Sequence, residues 1–160
     1  MGRMYSVAVT ESAQTAQIDL VEIVPAAGRI VVVHGWEIAQ TTELGDAAEE
    51  ALTLLAKRGS SGSTSGTGGA TATPTPLETN AGAASSVVET MNTTAAVAGG
   101  GTLVTIMATA FNVRASPVQW VFTPEMRPVI GPAERFVLAL NDAPTDSITF
   151  SLTLWFEEIG

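Results

Sequence analysis

The chain has a single histidine, His34, in the run VVVHGW, and no cysteine. A Ser-His-Asp triad needs an imidazole set between a nucleophile and a carboxylate. Serines are plentiful, but none sits in a GxSxG sequence, the sharp strand-to-helix turn that presents a nucleophilic serine. His34 lies at strand spacing and reads as one side chain on a strand face. A hydrolase built on His34 is the weakest of the functional readings.

Metal and phosphate chemistry are supported no better. One histidine and no cysteine do not make an ordinary zinc ligand set. Glu43, Asp46, Glu49 and Glu50 could offer oxygens to calcium, but their spacing matches no calcium-loop pattern, and they read as a solvated acidic turn. The glycine runs GTGG and AGGG are not followed by Lys-Ser/Thr and do not form GxGxxG, so they do not cradle a phosphate. Asn92-Thr93-Thr94 fits a glycosylation sequon, with nothing else pointing to secretion. The expectation is a protein that is not an enzyme and has no metal and no cofactor.

Charge narrows the partners. The formal net charge is −9, and both halves are acidic: eight acids against four bases in residues 1–58, eight against three in residues 77–160. No basic run tracks phosphates, which argues against direct nucleic-acid binding. No apolar run approaches the 18 residues that suggest a membrane span, and the opening MGRMYSVAVTE lacks the apolar stretch of a signal peptide. The missing cysteines fit assembly in a reducing cytoplasm. Only 14% of residues are charged, which suggests a surface partly covered by partners.

The elements that would position any site read as strands. In SITFSLTLWFEEIG, Ile148, Phe150, Leu152, Leu154 and Phe156 face one way and Ser147, Thr149, Ser151, Thr153 and Trp155 the other, the alternation of a half-buried strand. ERFVLAL places Phe136, Leu138 and Leu140 together, and MYSVAVT does the same for Tyr5, Val7 and Val9. AQIDLVEIV and RIVVVHGWEIAQ are β-branched runs separated by a Pro-Ala-Ala-Gly turn. TLVTIMATAFNVR and VQWVFT add two more strands. GDAAEEALTLLAKRG could be a helix, with acids early and bases late, or a turn at Gly45-Asp46 followed by a strand with Leu52 and Leu54 inward; its neighbours favour the strand. NAGAASSVVETMNTT reads as one helical turn followed by an extended segment. Eight to ten strands without a confident helix predict an all-β protein. The expected form is an antiparallel β-sandwich of jelly-roll or Greek-key type.

The stretch GSSGSTSGTGGATATPTP, residues 59–76, could tether two domains or could be a long loop inside one. Early and late strands of a jelly roll pair across the chain, which a tether would forbid. Residues 1–160 are therefore read as a single β-sandwich domain, with 59–76 a long, flexible surface loop. As a flexible arm it could order against a neighbouring subunit, so deleting Ser60–Gly69 is expected to weaken assembly and leave folding intact.

Trp155 falls on the polar face of the last strand, and an outward Trp often contacts another chain. Trp36, Trp120 and Trp155, with Arg114, Ser60 and Gly69, form the candidate interface. The alternatives are a second sheet face covered within the monomer and a sugar-stacking platform. Arg114, Arg127 and Arg135 are the only bases after Arg58, and are expected to pair with acids, more readily within the chain than across an interface.

Several pieces carry a resemblance: GDAAEE, NTT, FNVRAS, TPEMRPVIGPAERFVLAL, APTDSITFSLTLWFEEIG, and a Gly-rich loop after KRG. Together they resemble a family of short structural proteins encoded in the head gene clusters of tailed bacteriophages and prophages. The resemblance covers most of the chain and is strongest from Phe111 to Gly160. It implies a capsid cement or decoration protein that binds the outer surface of a phage head and stabilises its lattice, often as a trimer. The implied partners are the major capsid protein and further copies of the chain, and the implied location is the virion exterior after assembly in the bacterial cytoplasm. A phage tail, fibre or glycan-binding virion module is the alternative.

Overall fold

The computed structural model describes residues 2–42, 49–115 and 117–160. Its regular structure is twelve strands: β1 (Arg3–Gln14), β2 (Ile18–Val24), β3 (Ile30–Gln40), β4 (Ala51–Gly59), β5 (Ala70–Ala72), β6 (Thr75–Pro76), β7 (Val87–Asn92), β8 (Leu103–Asn112), β9 (Val118–Val121), β10 (Val129–Ile130), β11 (Arg135–Leu140) and β12 (Ile148–Ile159). A 3-10 turn, Pro124–Met126, joins β9 to β10. The segment read as helix or strand is a strand over Ala51–Gly59, with Leu52 and Leu54 fully buried. The Gly45-Asp46 turn lies outside the described residues. The helical turn expected before β7 is instead a tight turn in which Ala81 N donates to Glu78 O at 3.1 Å.

Two antiparallel sheets pack into a sandwich. The first, sheet A, has the order β10-β3-β12-β1-β6, with β9 also paired to β3. The second, sheet B, has the order β5-β7-β2-β11-β4-β8. The main pairings are nested, first strand with last: β1 with β12, β2 with β11, β3 with β9 and β10, β4 with β8. The alternation of β12 is realised as read: Ile148, Phe150, Leu152, Leu154 and Phe156 are all at most 1% exposed. Tyr5 stacks on Phe156 at 5.6 Å, and Phe111 meets Phe150 edge-on at 6.4 Å, so the interior is knitted by aromatic contacts between strands.

Strand β3 departs from strict alternation. Val31 and Val33 face the core, and so do Trp36 and Ile38. The phase changes at a bulge where Trp155 pairs with Gly35 but Phe156 pairs with Val33, leaving His34 as the extra residue. Gly35 is required there, since a Cβ would lie 2.2 Å from Trp120 O. The bulge turns Trp36 inward, edge-on to Phe122 at 5.4 Å.

Strand β11 departs differently: all six of its residues are buried, not only Phe136, Leu138 and Leu140. Val137 and Ala139 point away from the sandwich interior and form a second small core with Ala96, against which Leu103 packs. Ala96 belongs to residues 93–102, and residues 59–69 hold that segment in place. Ser60 N donates to Thr102 O at 2.9 Å, and two isolated bridges, Thr64 with Val97 and Thr67 with Thr94, bind the two segments together. Beyond them β5 joins β7 in sheet B and β6 joins β1 in sheet A. The flexible excursion expected for 59–76 is thus corrected. Hydrogen bonds lay the segment down as a third layer over sheet B and then carry it to the edge of sheet A.

Candidate functional site

The two outer faces of the sandwich have opposite fates. On sheet B the third layer encloses charge. Arg135 Nη1 donates to Glu22 Oε1 and to Ser65 Oγ, each at 2.5 Å, while Nε reaches Ser63 Oγ and Nη2 reaches Ser63 O at the same distance. Glu22 Oε2 accepts from Gly66 N at 2.9 Å and from Asn92 Nδ2 at 3.4 Å. Asp19 accepts from Ala96 N at 2.6 Å. Burial pushes the Asp19 carboxyl up, opposed by the Ala96 N–H and by Lys57, with Glu22 adding to the rise. Small serines and glycines let the segment approach closely enough to satisfy these buried groups, which would otherwise be costly.

Among the described residues no such layer lies over sheet A. Its outer face carries Thr149, Ser151, Thr153, Trp155, Glu157 and Ile159 from β12, all half-buried. Trp155 and Val121 are the cross-strand neighbours of Gly35 on its two sides. Val32 lies between Glu157 and Val129, and Ile30 opposite Ile159. Val121 is 64% exposed, Val129 54%, and Met126, on the adjoining 3-10 turn, 62%. These residues make the centre and one end of the face apolar. Its polar contacts include Gln119 Nε2 to Glu37 Oε2 at 3.1 Å and His34 Nε2 within 3.4 Å of Glu157 Oε2. The His34 pair is close enough to attract when the ring is protonated, but it is not aligned as a hydrogen bond.

The candidate interface residues do not converge. Trp36 is fully buried, so it leaves the interface set: the bulge at His34 gives it to the core. Trp120 is half-buried and packs inward against the core, 6.5 Å from Phe122. Trp155 keeps an outward position on sheet A. Arg114 is exposed, and its backbone N donates to Asn112 Oδ1 at 2.9 Å. Ser60 Oγ accepts from Thr102 N at 2.9 Å, and Gly69 N donates to Asn92 Oδ1 at 3.2 Å; both are fastenings within the chain. Of the three late arginines, Arg135 is paired within the chain as expected. Arg127 has a buried Nε without a partner among the described residues.

Val32, Val121 and Val129 were not singled out by sequence reasoning. The V-V-V run contained Val32, VQWVFT contained Val121 and RPVIGP contained Val129, but without register none of these runs reveals that its outward positions join Trp155. His34 bonds to no serine, and no group of three or more His, Cys, Asp or Glu could hold a metal among the described residues. Glu43 and Asp46 of the acidic cluster lie outside the described residues; Glu50 Oε1 accepts from Thr145 N and Oγ1.

Comparison with protein-family models, with curated proteins and with solved structures gives no match.

Proposed function

We propose that this chain is a structural assembly module of the capsid cement or decoration type, binding the outside of a phage head and stabilising its lattice. The observation that carries the reading is the contrast between the two outer faces. The chain spends two of its own segments covering sheet B, yet leaves on sheet A a face whose apolar centre holds Trp155, Val32, Val121 and Val129. A protein that covers one face and leaves an apolar patch on the other has a surface suited to a partner. The resemblance of the sequence to phage head proteins supplies the partner: the major capsid protein, with further copies of the chain in a closed ring such as a trimer. A cement protein needs no catalytic group; it stabilises the assembled lattice because it binds that state and not the dispersed subunits.

The nested pairing of first strands with last supports the finer reading of the sandwich as a jelly roll. The interior position of Trp36 weighs against an aromatic sugar platform, since that platform needed several outward Trp residues.

Electron microscopy of virions carrying the chain tests the reading. Density for the sandwich on the capsid exterior, with sheet A toward a neighbour, is expected; its absence from the head would refute the proposal. Trp155→Ser and Val121→Ser are expected to keep the melting temperature within a few degrees and to abolish head binding. Undiminished binding by both variants would move the interface off sheet A.

A further inference from the structure

Four of the strands that end the two sheets are blunted. β5, β6, β9 and β10 have three, two, four and two residues, and Pro74, Pro76, Pro117, Pro128 and Pro132 lie in or beside them. Short strands and prolines are the ordinary protection of a sheet edge. β8, the last strand of sheet B, has neither. It runs for 10 residues, LVTIMATAFN, without a charge, a proline or a glycine. Val104 is 46% exposed and Ile106 42%.

The register with β4 decides which backbone groups of β8 are free to pair. Val113 N donates to Glu50 O at 3.0 Å, and the hydrogen-bonded pairs alternate from there: Phe111 with Leu52, Thr109 with Leu54, Met107 with Ala56. Ala108 and Ala110 therefore turn their N–H and C=O away from β4, and both residues are exposed. Among the described residues nothing bonds to these groups. A bulge with Ile106 as the extra residue interrupts the ladder, so residues 107–112 are the regular stretch of the edge.

Two observations select the occupant. The first is charge. The chain carries −9, yet β8 carries none, and its neighbours at one end are Lys57 and Arg58, opposite Thr105 and Val104. Two copies can meet here without opposing carboxylates, and a two-fold axis sends their basic pairs to opposite ends. The second is fit. An antiparallel pairing centred on Thr109 sets Ala108 and Ala110 of one copy against Ala110 and Ala108 of the other, each donating one bond and accepting one. Only methyl groups meet on the outer face. On the inner face Thr109 meets Thr109, and Met107 meets Phe111; both of the latter already pack in the core, which thus continues across the junction.

We propose that β8 is a self-pairing edge: two copies of this chain join β8 to β8, antiparallel and centred on Thr109, and continue sheet B across a two-fold axis. The contact is small beside the about 1,200–2,000 Å² of a stable interface, so the dimer forms as concentration rises. The proposal stands apart from head binding, since it uses no residue of sheet A.

Thr109→Cys tests it in a chain that has no cysteine of its own. Facing residues of a non-hydrogen-bonded pair have Cα atoms about 4.5 Å apart, within the about 4.4–6.8 Å that a disulfide spans. Under mild oxidation a linked dimer is expected, formed faster than with Val87→Cys, an exposed position on β7. In sedimentation the unaltered chain is expected to dimerise as its concentration rises. Ala108→Lys/Ala110→Lys sets lysines opposite one another and is expected to dimerise about tenfold more weakly. Melting curves report its folding, and Ala110→Pro, which removes only an outward N–H, is the second edge variant. Trp155→Ser is expected to leave the Thr109→Cys link intact whether or not it abolishes head binding. Equal linking by both cysteines, undiminished dimerisation of the folded edge variants, or loss of the link with Trp155→Ser would each overturn the pairing. A chain that stays monomeric at every concentration would overturn it too, and would leave the edge to a strand of another protein.

Discussion

Arg135 and Glu22 form an ion pair at 2.5 Å although both side chains leave the sandwich interior, and 6% and 1% of them remain exposed. The pair is buried only because the Gly/Ser segment lies over it. Removing one member strands the other charge, which costs about 3–5 kcal/mol. Arg135→Met and Glu22→Gln are expected to lose stability on that scale in urea denaturation. The double variant Arg135→Met/Glu22→Leu is expected to lose less than the sum of the two. A loss below about 1 kcal/mol for Arg135→Met would mean that the pair is solvated in solution.

Deleting Ser60–Gly69 removes Ser63, Ser65 and Gly66 from Arg135 and Glu22, and takes the bridge partners Thr64 and Thr67 from the segment that carries Ala96 onto Val137 and Ala139. The sequence-based expectation was an intact fold with weaker assembly. The observed packing reverses it: the deletion is expected to lower the thermal midpoint strongly or prevent folding, as circular dichroism would report. A melting curve like that of the full chain would restore the picture of a free arm.

Two buried carboxylates are set against each other in pH. Burial alone would raise Glu158, but the Ser86 hydroxyl and the Ser85 and Ser86 amides, with Arg29 nearby, outweigh it and hold the carboxyl below its usual range. A lowered folded-state pKa gives stability that is present above the ordinary carboxylate range and lost as pH falls through the folded value. Asp19 is raised, so the folded state holds its proton more tightly, and stability declines as pH rises through the folded value. Glu158→Gln is therefore expected to destabilise at pH 7, with a deficit that shrinks on acidification. Asp19→Asn, which keeps an acceptor for Ala96 N, is expected to stabilise at pH 7 and to lose that advantage below about pH 4. Thermal melts from pH 3 to 8 check both signs.

Ala133 is exposed and has a φ of 60°, in the left-handed region that costs a non-glycine residue roughly 1–2 kcal/mol. Glycine removes that strain but adds about 0.4–1 kcal/mol of unfolded-state entropy. The strain outweighs the entropy, so Ala133→Gly is expected to stabilise by up to about 1 kcal/mol. A lower denaturation midpoint in this variant would show that the loop relaxes around alanine.

Gly35→Ala probes the bulge. The new Cβ would meet backbone atoms, Trp120 O at 2.2 Å and Val121 Cα at 3.0 Å, which cannot rotate away. A loss of about 1–3 kcal/mol is expected, with weaker burial of the Trp36 indole read by its fluorescence. An unshifted emission and midpoint would mean that β9 moves freely from β3.

The legible parts of the sequence were those in which one face is core and the other is not. β12 declared its alternation, and so did MYSVAVT in β1, whose Tyr5 and Val7 are in the core with Val9 partly buried against it. Trp36 was grouped with Trp120 and Trp155 by residue type; the one-residue bulge at His34 that sets its face is a matter of register, which the run VVVHGW does not reveal. Val137 and Ala139 were missed as buried because period-2 logic assumes one wet face, whereas β11 is covered on both. The 59–76 segment misled by composition. Small polar residues are the mark of a flexible linker, and they are also what lets a backbone lie flat on a sheet and meet buried charges. Arg135 gave no local signal of this, because its acid partner, Glu22, lies far away in the sequence.

The nested strand order also fixes when the fold can close. β12 lies between β1 and β3, so sheet A has no middle strand until the last strand arrives. At ordinary synthesis rates of about 5–20 residues per second, β1 and β3 wait on the order of five to twenty seconds with unpaired edges. Folding governed by such distant pairings is slow and open to mispairing. The interval after β3 emerges is thus the period in which a nascent chain is most exposed to chaperones, to proteases and to other copies of itself.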